Sequence, residues 1–179
     1  SVERVSSGFS NLEKHIENCK KFGLNPVVAI NAFPTDSQEE VDVIKEKCSA
    51  MGVEAIVANG WAMGGNGMTD LAEAVIREVE SGKNEFKPLY DWKLPIREKI
   101  KIIATEIYGS DGVEYSKKAI TDLKRIDELG LNELPICMAK TQKSLSDNDK
   151  LYARPTGFTV NVREFEYAEY VRILHIYYA

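Results

Sequence analysis

Two loops carry the side chains best suited to holding a flat ligand. Phe33 lies in Asn31-Ala-Phe-Pro-Thr-Asp36, and Trp61 lies in Gly60-Trp-Ala-Met-Gly-Gly-Asn-Gly67. An aromatic ring at the mouth of a sheet either folds back into the core or offers its face to a planar heterocycle. Two such rings on adjacent loops could sandwich one. The glycines around Trp61 let the backbone turn tightly or approach a ligand, although a flexible loop around a core tryptophan has the same composition. Asn31 ends an apolar run and Asp36 follows soon after, as in loops that read the edge of a nucleotide base. The same residues also make an ordinary helix start, with Thr35 or Asp36 accepting the first free backbone N–H groups.

A third cluster follows the apolar run Leu134-Pro-Ile-Cys-Met-Ala139 and contains Lys140, Thr141, Gln142, Ser144 and Ser146. Hydroxyls, an amide and an ammonium delivered to a strand end make a rim for an anion or nucleotide; a solvated turn has the same residues. Arg154-Pro-Thr-Gly-Phe158 could add a cation and backbone donors through Arg154, Thr156 and Gly157. No G-x-x-x-x-G-K-[ST] phosphate loop, G-x-S-x-G elbow or H-E-x-x-H pair occurs. His15 and His175 have no spacing that points to a shared site. Cys19, Cys48 and Cys137 form neither a C-x-x-C pair nor a ligand set with histidine, so a disulfide frame and a metal site are both unexpected, and the thiols read as reduced small hydrophobes.

The elements that must position these residues alternate. Ser10 to Phe22 reads as an amphipathic helix with Leu12, Ile16 and Cys19 on one face, capped by Ser10 and ended by Gly23. Pro26 to Asn31 reads as a strand buried on both faces. A helix from about Ser37 to Met51, a strand Val53 to Ala58, and a helix opening at Thr69 follow, the last with Leu71, Ala72, Val75, Ile76 and Val79 inside. Such alternation implies parallel strands joined by crossovers, with ligands at the strands' carboxyl ends. Both aromatic loops leave such ends. Ser81-Gly-Lys-Asn84 and the proline-punctuated stretch to Pro95 mark a boundary. Beyond it lie a helix Ile96 to Tyr108, a helix from Ser116 to Leu129, and strands Leu134 to Ala139 and Thr156 to Val162.

The 179 residues, with 44% apolar and 28% charged and a net charge of −5, suit a globular chain with a real core. Near-average Gly and Pro exclude collagen-like and disordered classes. Mild acidity without a basic block argues against nucleic-acid partners, and no apolar run reaches membrane-spanning length or the core of a signal peptide. A cytoplasmic location is expected.

Several long words then resemble formate–tetrahydrofolate ligases: Asn11-Leu-Glu-Lys-His-Ile-Glu-Asn18, Pro26-Val-Val-Ala-Ile-Asn-Ala-Phe-Pro-Thr-Asp36, Glu106-Ile-Tyr-Gly-Ser-Asp-Gly-Val-Glu114, Leu134-Pro-Ile-Cys-Met-Ala-Lys-Thr-Gln142 and Pro155-Thr-Gly-Phe-Thr-Val-Asn-Val-Arg163. The resemblance runs from about Val5 to Glu164. It implies joining formate to tetrahydrofolate at the expense of ATP, through formyl phosphate, to give 10-formyltetrahydrofolate, ADP and phosphate. A dry pocket would protect the activated acyl group until the folate amine attacks. By resemblance, Phe33 and Trp61 hold the pterin with Pro34 alongside, while Asn31, Lys140, Thr141, Arg154, Thr156 and Gly157 lie toward the nucleotide.

The resemblance implies an α/β fold: an open, mostly parallel sheet flanked by helices, part of a P-loop NTPase-like domain, plus a smaller α/β subdomain. The expected division is 1–82, 83–164 and an atypical tail, 165–179. Family members are longer and place their phosphate loop before the part represented here, so the chain reads as a fragment that cannot catalyse alone. ATP, formate and tetrahydrofolate are expected as substrates of the full-length enzyme, with no tightly bound cofactor here. The tail, Glu164 to Ala179, departs from the family pattern and reads as a helix or a pairing-prone strand. A competing reading is a non-catalytic α/β module that self-associates through this apolar tail.

Overall fold

The computed structural model describes residues 1–138, 144–148, 150–168 and 173–178, and the chain divides into two units, Ser1–Lys87 and Pro88–Ala179.

In the first unit, helix α1 (Val2–Lys21) precedes strand β1 (Val28–Asn31), helix α2 (Gln38–Ala50) and strand β2 (Ala55–Ala58). The one-turn helix α3 (Gly60–Met63), a 3₁₀ turn (Gly64–Met68) and helix α4 (Thr69–Glu80) follow. β1 and β2 pair in parallel, with Val28 opposite Ala55 and Asn31 opposite Ala58. Parallel neighbours cannot be joined by a tight turn, and α2 supplies the crossover. Phe9, Ile16, Ile30, Val41, Cys48, Val53 and Ala55 form the core, with α1 and α2 packed against each other.

Helix α1 starts at Val2, well before the expected Ser10, and the buried Phe9 explains the extension, since it adds a turn to the apolar stripe. Strand β1 is not covered on both faces: Ile30 is buried while Ala29 and Asn31 are exposed. Gly23, at φ +74°, closes the turn after α1. There, Glu85 N–H donates to the Gly23 carbonyl and Lys87 N–H to that of Phe22, both at 3.0 Å. A Cβ at residue 23 would stand 1.9 Å from the Glu85 carbonyl oxygen, so only glycine admits this strap. The Phe22 and Phe86 rings stack beside it with centroids 6.2 Å apart.

The stripe of α4 departs most from expectation. Ala74 is buried, but Val75, Ile76 and Val79 are exposed, Val79 at 72%. The C-terminal end of α4 is held by polar contacts: Glu78 accepts from Asn25 Nδ2 at 3.1 Å and from Asn84 Nδ2 at 2.9 Å. These donors hold the Glu78 carboxyl below its usual range, the Asn25 bond foremost.

The second unit contains helix α5 (Ile96–Ile102), which widens into a π-helical turn (Ile103–Tyr108), strand β3 (Gly112–Tyr115), helix α6 (Lys117–Glu128) and strands β4 (Ile136–Met138), β5 (Thr159–Ala168) and β6 (Ile173–Tyr178). The sheet order is β3-β5-β6-β4, with β3/β5 and β4/β6 parallel and β5/β6 antiparallel. Together with β1/β2, parallel pairings predominate, as expected for an α/β chain. β3 was not anticipated from the sequence, and β5 runs past Val162. In its described residues the tail, expected as helix or strand, is strand: Leu174 and Ile176 are internal, 1% and 2% exposed, in the core that Ile96, Ile100, Leu123 and Ile126 of α5 and α6 cover. Those two tail residues thus offer no apolar surface for self-association.

Lys99 on α5 is wholly buried, donating from Nζ to the Asn132 and Leu134 carbonyls at 3.1 and 3.0 Å. Among the described residues, no helix is long and apolar enough to cross a membrane.

Candidate functional site

The register of β1 and β2 places their carboxyl ends side by side, Asn31 opposite Ala58. Each end releases one aromatic loop. After β1, the chain folds back at once, Ala32 N–H bonding to the Ile30 carbonyl at 3.0 Å. Asp36 then takes a role other than the expected helix cap. Its carboxylate accepts from Phe33 N–H at 2.8 Å, while its own N–H donates to the Phe33 carbonyl at 2.9 Å. Ser37 performs the capping in a reciprocal box, its hydroxyl accepting from Glu40 N–H and the Glu40 carboxylate from Ser37 N–H. A complete box lets the helix begin one residue later and leaves Asp36 for the loop. The Phe33 backbone is therefore fixed on both sides while its ring is 58% exposed. Pro34, also exposed, stiffens the segment between the two anchors by fixing its own φ.

After β2, Trp61 rides on α3 with its side chain 79% exposed. The loop beneath it is tied at its base. Asn59 N–H donates to the Gly67 carbonyl at 3.1 Å, and the Asn59 carbonyl accepts from Ala62 and Met63 N–H at 3.2 and 3.0 Å. Gly67 is required for this closure, because a Cβ there would fall 2.4 Å from the Asn59 carbonyl oxygen. The loop, for which a tight turn near a ligand and a flexible segment around a core tryptophan are the two sequence readings, is thus a folded platform, and Trp61 stands on its outside. Phe33 and Trp61 are not stacked on one another; the stacked pair in this unit is Phe22 with Phe86. Two separate, solvent-facing rings from neighbouring strand ends can each offer a π face to a planar molecule. Asn31, exposed at the end of β1, adds an amide at the same edge.

The remaining sequence-derived candidates belong to the second unit. Lys140 and Thr141, with Gln142, lie outside the described residues. Arg154 is half-buried and Thr156 and Gly157 are exposed, in the segment leading into β5. Because β5 runs antiparallel to β6 and β6 parallel to β4, this segment enters at the sheet edge from which β4 departs. Ser144 and Ser146, read from the sequence as rim residues, are buried inside their own turn: Ser146 N–H donates to Ser144 Oγ, and Asn148 N–H to Ser146 Oγ, both at 3.0 Å. Asp147, which the sequence reading passed over, anchors this turn to β5 by accepting from Asn161 N–H at 2.8 Å and Asn161 Nδ2 at 3.3 Å. The signal that could have found the turn is the Ser-x-Ser spacing just before Asp147, in which each serine hydroxyl accepts from the backbone N–H two residues on. Ala153, next to Arg154, adopts φ +59°, a left-handed conformation rare for a residue with a Cβ.

Among the described residues, no three His, Cys, Asp or Glu side chains converge as a metal would require. The family model described as formate–tetrahydrofolate ligase matches residues 1–175 of the 179, both aromatic loops included and continuing beyond Glu164 into β6. A match over nearly the whole length, on a chain whose parallel strands carry exposed rings at their carboxyl ends, settles the kinship: this chain belongs to the formate–tetrahydrofolate ligase family.

Proposed function

We propose that the carboxyl edge of β1 and β2 is the folate-facing wall of a formate–tetrahydrofolate ligase, with Phe33 and Trp61 holding the flat pterin and Pro34 keeping the first ring's approach rigid. The observation that carries this reading is the pair of exposed rings delivered by registered parallel strands on loops braced by their own hydrogen bonds. Preorganised rings lose little conformational entropy on stacking, which favours binding of a bicyclic heteroaromatic.

In the second unit, Arg154, Thr156 and Gly157, with Lys140 and Thr141, serve the nucleotide side; in the first unit, Asn31 is the candidate nucleotide-facing residue. Their types suit it: a guanidinium and an ammonium for charge, a hydroxyl and backbone N–H groups for phosphate or ribose oxygens. The sequence carries no phosphate loop of the P-loop type, so the chain acts as one part of a longer ligase, probing folate but not turning over ATP alone. The cytoplasm is the compartment this chemistry and the unpaired thiols fit.

The test is Trp61 fluorescence during titration with a tetrahydrofolate analogue, in a Trp92→Phe background, alongside a ligase assay of the chain alone. Saturable quenching, weakened about tenfold by Phe33→Ala, and no turnover are expected. Unchanged fluorescence at millimolar analogue would reject the folate wall, and robust turnover by the chain alone would reject its incompetence.

A further inference from the structure

We propose that Cys137 is a reactive thiol, a site of mixed-disulfide formation with small disulfides, and that His175 on the neighbouring strand is its proton acceptor. The proposal stands on a row across three strands. In the parallel pair β4/β6, Cys137 is opposite His175; in the antiparallel pair β5/β6, His175 is opposite Glu166. Residues directly opposed in a sheet project from the same side. The burial alternation agrees: Ile136, Leu174 and Ile176 are buried, whereas Cys137 and Glu166 are exposed and His175 is half-buried.

Thiol, imidazole and carboxylate therefore stand in line on the side of the sheet away from the apolar cluster of α5 and α6. Adjacent strands are about 4.8 Å apart, which brings the thiol within side-chain reach of the ring. A straight row does not form the cage a metal needs, and among the described residues no such cage exists. It does suit proton transfer from sulfur to imidazole. Sequence spacing could not reveal the row, because Cys137 and His175 meet only through strand register.

The Cys137 proton passes to the His175 ring, and the thiolate attacks one sulfur of the disulfide. A new S–S bond forms as the old one breaks, and the departing thiolate leaves with the bonding pair and takes the proton from the imidazolium. Cys137 is oxidised and the small disulfide is reduced, releasing one thiol.

The chain supplies its own controls. Cys48 is wholly buried, with its thiol pushed up by burial, and Cys19 is half-buried. The experiment treats the full chain with oxidised glutathione, and separately with iodoacetamide, and follows each cysteine by residue-resolved mass spectrometry as pH is varied. Cys137 is expected to react first, and His175→Asn to slow it about tenfold near neutral pH with Cys19 unaffected. Glu166→Gln should slow it less. Equal rates at Cys137 and Cys19, or a Cys137 rate indifferent to His175→Asn, would overturn the proposal. Should His175→Asn unfold the chain, seen as rapid labelling of Cys48, His175→Gln decides: slower labelling of Cys137 with Cys19 and Cys48 unchanged supports the pairing, and an unchanged Cys137 rate refutes it.

Discussion

The two units use similar helices to different ends. In the second, α5 and α6 press their apolar sides onto four strands, and Ile100 and Val160 are wholly buried. In the first, two strands carry a smaller core, and α4 presents Val75, Ile76 and Val79 outward although their spacing is that of a buried stripe. The contrast separates two meanings of amphipathicity. A helical apolar stripe states that a face is cheaper to cover than to wet; it does not say that the same unit covers it. Unit two satisfies its stripes internally, while unit one holds its shape through directional devices: the capping box at Ser37, the Glu78 polar knot and the strap at Gly23.

Substitutions test this contrast. The largest effect is expected at Ile100→Ala, which empties a filled site in the second unit and should cost about 2–5 kcal/mol in urea unfolding followed by circular dichroism. Val79→Ala, the matched truncation on α4, should stay within about 0.5 kcal/mol. Comparable losses at the two sites would erase the distinction. Next comes Gly23→Ala, where left-handed backbone alone costs about 1–2 kcal/mol and the new methyl displaces the Glu85 carbonyl. A lowered midpoint of thermal unfolding is expected, and an unchanged midpoint would mean that the strap contributes little to the first unit.

The smallest effect concerns Lys99. Burial lowers the pKa of its ammonium from the ordinary lysine value of 10.5, opposed by the carboxylates of Glu133 and Asp91. The folded chain therefore releases this proton at lower pH than the unfolded chain, and unfolding takes a proton up in the window just below that value. Stability contributed by this group rises as pH increases through the window. Urea midpoints measured across it should rise in wild type relative to Lys99→Met; parallel curves would show that the buried ammonium is fully compensated by its two carbonyl partners.

Much of the fold was legible because it rests on local signals. Alternating apolar runs and helical stripes gave the β1-α2-β2 crossover, and the Gly-rich and Pro-Thr-Asp segments correctly marked the strand ends. What escaped had non-local causes. The capping role went to Ser37 because Glu40 completes a box, leaving Asp36 to brace Phe33. β3 was missed because Gly112-Val-Glu-Tyr115 is short and becomes a strand only by pairing with β5. The tail, odd as a local pattern, places Leu174 and Ile176 where the helices of the second unit need them. At the candidate site, the identities of Phe33 and Trp61 could be read from residue type and loop position. Their exposure could not, because it depends on ties, Asp36 to Phe33 in one loop and Asn59 to Gly67 in the other, that no single residue announces.

Those ties have a consequence for change over time. Since the amide and carbonyl of Asn59 are both spent on residues of its own loop, the segment bearing the indole closes on itself before it meets the sheet. Variants within it would alter the angle or depth at which the ring is shown and, on the folate-wall reading proposed above, its preference among related heterocycles.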